Sequence, residues 1–257
     1  MPDTFLITII FIVLCTVIGA FISGRSKDSC LKSFSGSSVV LAENDGKLVW
    51  GTLRVENSAL ELAYAEPYTD AEGHLETSYI VYKNEYENIK MIVRYTDDLD
   101  PRMAAAREKK LKKVCHPGIC SRLARHTRNF FGTVRDSLLE VVDLLIGRMK
   151  TATPAGMVLK GQEKYTSTLQ KQLVTSTGTS YEPILERYLG KRIVLLVMYG
   201  EKKKEYSGIL KEYTSEFIEI YGSQCRDGRT EQVREADMVT SRATGIVRHA
   251  GDQGEAK

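Results

Sequence analysis

An apolar run without a single charge, Phe5 to Ile22 (FLITIIFIVLCTVIGAFI), opens the chain and limits what it can fold into more than any other feature. At a helical rise of 1.5 Å per residue the run covers ~27 Å, close to the ~30 Å thickness of a bilayer's hydrocarbon core. The sequence therefore predicts a transmembrane helix over residues 5–23, its apolar surface supplied by Phe5, Leu6, Ile9, Ile10, Phe11, Ile12, Val13, Leu14, Val17, Ile18, Phe21 and Ile22. A cleaved signal peptide competes with this reading. Against it, the residues before the run (MPDT) hold an acid and no base, and Phe21 stands where a small residue should precede a cut after Ser23. A lipid-attachment reading at Cys15 meets the same objection at Leu14. Arg25, Lys27 and Lys32 follow the run with only Asp28 opposing them, so the positive-inside rule places the N-terminus outside and the rest of the chain in the cytoplasm. The expected location is the cell inner membrane, single-pass. The five cysteines show no disulfide-framework spacing and agree with a reducing compartment.

Beyond the run, residues 24–38 are rich in Ser, Gly and Lys and read as a flexible linker. Residues 39–98 alternate apolar and polar positions, as in KLVWGTLRVENSALELAY and YIVYKNEYENIKMIVRY, and predict a first β module with Trp50 in its core. Residues 99–176 read as a helical segment: Asp100 and Pro101 begin one helix, and Phe131, Val134, Leu138, Val141, Leu145 and Met149 form an apolar stripe on a second, a candidate interaction face. Residues 177–250 predict a short helix (SYEPILERYLG) and a second β module, with a disordered tail at 251–257. The expected fold class is α+β: one N-terminal transmembrane helix and two small antiparallel β-barrel-like modules separated by a helical segment.

The two β segments share a pattern. Gly51, Leu53, Arg54, Ser58, Leu60, Glu61, Leu62 and Tyr64 match Gly208, Leu210, Lys211, Ser215, Ile218, Glu219, Ile220 and Tyr221 with one insertion. Both segments end in the triplet Ile-Val-Arg, at Ile92 to Arg94 and Ile246 to Arg248. Duplication and generic strand composition both account for this.

From Leu185 to Gly222, the short helix, the strand entry Gly190-Lys191-Arg192, Gly208 in the second strand and the strand end Phe217 to Ile220 resemble an Sm-like small β-barrel. The resemblance implies a small β-barrel, ring formation and RNA binding through an Asp and an Asn in the turn after the second strand, backed by a later Arg-Gly motif. That turn here reads Tyr213, Thr214, Ser215, Glu216, and the later Arg-Gly position reads Arg234, Glu235, Ala236, Asp237, so the RNA site does not carry over. The chain as a whole also resembles a type of membrane-anchored bacterial protein, a likeness that implies no chemistry.

Charge is unevenly spread. Between Arg102 and Arg135 ten Lys or Arg face one acid, Glu108, although the net charge of the whole is only +3. Beside an anionic leaflet, Lys109, Lys110, Lys112, Lys113, Arg122, Arg125 and Arg128 are candidates for lipid headgroup contact; a solvated face is the alternative, with RNA phosphates a third. Cys115, His116, Cys120 and His126 form the one cluster of metal-ligating types, but its spacing is wrong for structural zinc and its residues read as ordinary loop positions, with neighbouring bases able to lower the thiol pKa values. No phosphate loop, serine elbow, zinc helix or dinucleotide fingerprint is present. The sequence thus points to a non-enzymatic, single-pass, membrane-tethered scaffold or assembly component without a cofactor. Its expected partners are the membrane, anionic headgroups, and another protein or a second copy of itself. A tethered Sm-like RNA-binding module and a periplasm-facing envelope protein are the alternatives.

Overall fold

A computed structural model describes residues 27–117, 181–200, 202–230 and 232–251. Its elements fall into two series. In the first, α1 (Ser29–Lys32) precedes β1 (Ser38–Glu43), β2 (Leu48–Val55), β3 (Ala59–Thr69), β4 (Leu75–Tyr82), a 3-10 turn (Lys83–Asn88) and β5 (Ile89–Tyr95). Helix α2 (Pro101–Cys115) follows. In the second, α3 (Pro183–Tyr188) precedes β6 (Arg192–Tyr199), β7 (Lys202–Tyr213), β8 (Phe217–Arg226), β9 (Val233–Ser241) and β10 (Gly245–Ala250).

The ten strands form one antiparallel sheet in the order β10-β6-β7-β8-β9-β5-β1-β2-β3-β4. Each half of it is a short helix and a five-stranded meander whose last strand pairs with its first, so β5 lies beside β1 and β10 beside β6. The halves then join through β5 and β9. Gly51 and Gly208 mark the same place in both: a Cβ on Gly51 would lie 2.7 Å from the carbonyl oxygen of Ala63, and one on Gly208 2.9 Å from that of Tyr221. Only glycine admits so close a neighbouring strand.

Matching register refines the repeat. Val39 faces Gly51 as Ile193 faces Gly208, and Leu41 faces Ile92 as Leu195 faces Val247. Ile92 therefore corresponds to Val247, and the two Ile-Val-Arg triplets are one residue out of step. Likewise Ala63, not Tyr64, corresponds to Tyr221, since these residues face Thr52 and Ile209.

Two cores form on opposite faces of the sheet. The first gathers Leu41, Leu53, Leu60, Leu62 and Ile92 under Leu31 and Phe34. The second gathers Ile193, Leu195, Leu210, Ile220 and Met238 with Leu185 of α3. Order begins earlier than Val39, because Asp28 caps α1 by accepting from the N–H groups of Cys30 and Leu31 and so aims Cys30, Leu31 and Phe34 into the first core.

The architecture corrects the expected fold class. Instead of two separate barrel-like modules flanking a helical segment, one open sheet runs through both halves, since the fifth strand of the first half pairs with the fourth of the second rather than standing alone. The single-pass and inner-membrane expectations are corrected as well. Among the described residues no helix is long and apolar enough to cross a membrane. The longest, α2, has 15 residues and carries Lys109, Lys110, Lys112 and Lys113. The run from Phe5 to Ile22 lies outside the described residues, as do Arg122, Arg125, Arg128 and the stripe Phe131, Val134, Leu138, Val141, Leu145 and Met149.

Candidate functional site

The junction between the halves is the most elaborate place in the molecule. β5 and β9 pair directly from Met91 opposite Thr240 to Tyr95 opposite Ala236. Each half hides the other's outer face. Val40, Ala42, Met91, Val93 and Tyr95, on the outer side of β1 and β5, lie in the core of the second half. In return Phe217, Tyr221 and Val239, on the outer side of β8 and β9, complete the core of the first.

Charge is buried at this joint. Arg94 and Asp237 sit opposite one another, their side chains 2.7 Å apart and 5% and 0% exposed. Arg107, from α2, brings its Nε and Nη2 to 2.7 Å from the two oxygens of the same carboxylate. Two cations on one anion satisfy the Coulomb requirement of burial, and the bidentate fork fixes how α2 lies on the sheet. Beside them Lys211 donates to Glu219 at 2.8 Å, and Ser33 donates to the other Glu219 oxygen. Burial pushes the Glu219 carboxyl up, against the pull of Lys211, Ser33 and Arg94. For Lys211 burial pulls downward, but Glu219, with Tyr221 and Cys30 adding to it, holds the ammonium above its ordinary value.

A groove of about 1040 Å³ is lined by residues of β1–β4 together with Tyr95, Asp98, Asp227, Arg229 and Arg234. Its aromatic walls already carry cations: Arg229 lies 4.6 Å over Trp50, Arg234 4.2 Å over Tyr95 and Lys47 3.9 Å over Tyr79. Arg234 also binds Asp97, Asp98 and Asp227. The groove is thus a seam that stitches the second half's turn to the first half, and Trp50, expected in the core of the first β module, is half-buried here and packs against the second core instead.

The seam gives an acid-sensitive signal. The bond from Arg234 holds the Asp97 carboxyl below its ordinary value; for Asp227 the backbone N–H of Arg229 does so first, with Arg234 adding to it. Folded pKa values depressed in this way contribute stability that is present above the unfolded value of about 3.9 and lost as pH falls through the folded value. Since Trp50 is the chain's single tryptophan, its fluorescence reports Arg229 stacking. Emission is expected to stay constant from pH 7 to 5 and to change below about pH 4, before the far-ultraviolet β signal is lost. A change centred near pH 6 would exclude these carboxylates as the cause.

The remaining candidates are quickly placed. Lys109, Lys110, Lys112 and Lys113 are exposed, while Met103, Arg107, Leu111 and Val114 form the half-buried side of α2. Cys115 has its thiol pushed up by burial, not down by neighbouring bases, and Cys120 and His126 lie outside the described residues. Asp70, Glu72 and His74 come together in the β3–β4 turn, where Asp70 accepts from the N–H groups of the other two and so closes the turn.

Sequence reasoning missed the sheet's outer edges. Among the described residues nothing pairs with the outer side of β4 or of β10. Tyr68, Leu75, Ile80 and Tyr82 of β3 and β4, and Ile246 of β10, are exposed large apolar residues. Strand β4 (LETSYIVY) carries no Lys, Arg or Pro, the residues that ordinarily blunt an edge. The signal available in the sequence was this alternation without a guarding charge on Ile80 or Tyr82. No family model, curated protein or solved structure matches the chain.

Proposed function

We propose that this chain is a non-enzymatic assembly component, a scaffold that joins its partners by strand addition at the open edges of its sheet. The observation that carries the reading is β4: an eight-residue edge strand with Ile80 and Tyr82 exposed on its surface and no basic residue or proline to discourage pairing. A row of unpaired backbone N–H and C=O groups supplies affinity for an added strand, and the flanking apolar side chains supply area to bury. The RNA-binding alternative has less behind it. In the turn after β7 the Thr214 hydroxyl accepts from the N–H groups of Glu216 and Phe217, and Arg242 donates to the Thr214 carbonyl, so that turn is spent on its own closure.

The test is the native mass of the full chain in extracts of its own cells. Ile80→Lys combined with Tyr82→Lys places two charges on β4 without touching either core. The variant is expected to sediment at lower mass than the wild type, with an unchanged thermal unfolding midpoint. Sedimentation identical to the wild type would sink the proposal.

A further inference from the structure

We propose that the groove lined by β1–β4 is a recognition site for a basic, arginine-bearing peptide segment of a partner protein, which sets a guanidinium against the rings of Tyr64 and Tyr68 and has its charge balanced by Glu66 and Glu76. This goes beyond the edge-assembly reading and stands apart from it, since Ile80 and Tyr82 line no part of the groove.

The argument begins with a break in the pairing of β3 with β4. Ala63 faces Ser78, and the next facing pair is Tyr68 with Glu76, so Tyr64, Ala65, Glu66 and Pro67 together stand against the single Thr77. A bulge of this kind ends regular pairing and re-aims side chains, and it is a feature of strands that build sites. Pro67 suits it, having no N–H to leave unpaired. Tyr64, Glu66, Tyr68 and Glu76 all reach the groove from this one irregularity. Their closeness shows in the Tyr64 hydroxyl, whose pKa is raised by burial first and then by Glu76, with Tyr79 and Tyr68 adding to it and Lys47 opposing.

The rest of the groove shows what such rings accept. Of its five aromatic residues three already carry a cation from this chain: Trp50 carries Arg229, Tyr95 carries Arg234 and Tyr79 carries Lys47. Tyr64 and Tyr68 carry none among the described residues. The carboxylates divide in the same way. Asp98 and Asp227 are bound by Arg234, and Asp70 is engaged by the N–H groups of its own turn and by His74. Glu66 and Glu76 have no ion pair or hydrogen bond among the described residues. Rings without a cation and carboxylates without a base thus fall together at the bulge, where Lys47 is the one base lining the groove.

This pairing selects the ligand. A neutral ligand laid over Glu66 and Glu76 would strip water from two carboxylates and return nothing for it, whereas a cation offsets that loss. A guanidinium serves better than an ammonium, because its flat face can lie on a ring while its edge donates to a carboxylate. At about 1040 Å³ the groove has more room than one side chain fills and suits a short peptide.

The probe is the acetylated, amidated peptide Arg-Ala-Arg-Ala-Arg, titrated into the full-length protein by calorimetry with Trp50 emission followed alongside. Wild type is expected to bind it. The same peptide with citrulline for arginine keeps the planar heads and loses their charge, and should bind about tenfold more weakly or worse. Glu66→Gln combined with Glu76→Gln should weaken binding of the arginine peptide by about tenfold. Tyr68 is 55% exposed and belongs to neither core, and Tyr68→Ala should weaken binding by about fivefold. Each variant is first required to unfold at the wild-type temperature. Equal binding of the citrulline peptide to the wild type would overturn the inference, and this arm involves no variant of the protein. Loss of binding in the double glutamate variant with none in Tyr68→Ala would overturn it in favour of unspecific charge attraction. Absence of heat and of any emission change up to about 1 mM arginine peptide would overturn it outright.

Discussion

Asp237→Ala is expected to be among the most destabilising single changes to the protein's buried polar groups. The carboxylate is fully buried and neutralises Arg94, itself 5% exposed, and Arg107. Its removal strands a guanidinium in the joint between β5 and β9, and breaking a buried pair in this way costs about 3–5 kcal/mol. At about 2–4 °C per kcal/mol for a chain of this size, the unfolding midpoint should fall by roughly 10 °C. Arg107 reaches the surface and can swing outward, whereas Arg94 is held under Phe34 with its ring 4.2 Å away. Replacing both buried partners, Arg94→Met with Asp237→Leu, should therefore recover much of the loss, because no uncompensated charge remains. Calorimetry on the three proteins decides it. Equal losses in the single and double variants would mean that the joint depends on the ion pair itself rather than on avoiding a stranded charge.

The strands were legible because their alternation is strong. KRIVLLVMYG, VREADMVTS and TGIVRHA lie where β6, β9 and β10 form, and Asp227 and Gly228 begin the turn between β8 and β9. Helix α2 starts at Pro101 after Asp100, and α3 at Pro183, as their first-turn prolines require. What alternation does not encode is which strand lies beside which. Arg94 and Asp237 are 143 residues apart, and nothing in either local pattern names the other. One signal for the continuous sheet was nevertheless present. Val39 to Ala42 and Met91 to Val93 are unbroken apolar runs, and a strand apolar on both sides is buried on both sides. Read as half-buried barrel strands they conceal the joint; read as central strands they require it. α1 was hidden for a different reason, since its Cys30, Leu31 and Phe34 stand among Ser, Gly and Lys and gain their meaning only from the core they enter.

The repeat supplies its own controlled comparison, from which the second large effect follows. Arg54–Glu61 in the first half and Lys211–Glu219 in the second stand at the same place in the two sequences, although a bulge at Lys211 sets Glu212 rather than Lys211 directly opposite Glu219. The first pair is 3.4 Å apart with side chains 63% and 34% exposed; the second is 2.8 Å apart with side chains 11% and 0% exposed, roofed by Ser33 and α1. Arg54→Ala should cost under about 1 kcal/mol, as exposed pairs do. Lys211→Ala leaves the Glu219 carboxylate buried without its cation and should cost about 3–5 kcal/mol. The two losses should also differ in pH dependence. Burial already raises the Glu219 pKa, and without Lys211 it rises further. A folded pKa above the unfolded one favours the folded state at low pH and loses that contribution as pH rises through the folded value. The deficit of Lys211→Ala should therefore shrink between pH 7.5 and 5 as Glu219 takes up a proton, while the small deficit of Arg54→Ala stays flat. Denaturant midpoints at the two pH values give the answer. A Lys211→Ala deficit that is constant with pH would show that Glu219 stays ionised on the charge of Arg94 alone, and would make Arg94 a cation shared by both buried carboxylates, Glu219 and Asp237.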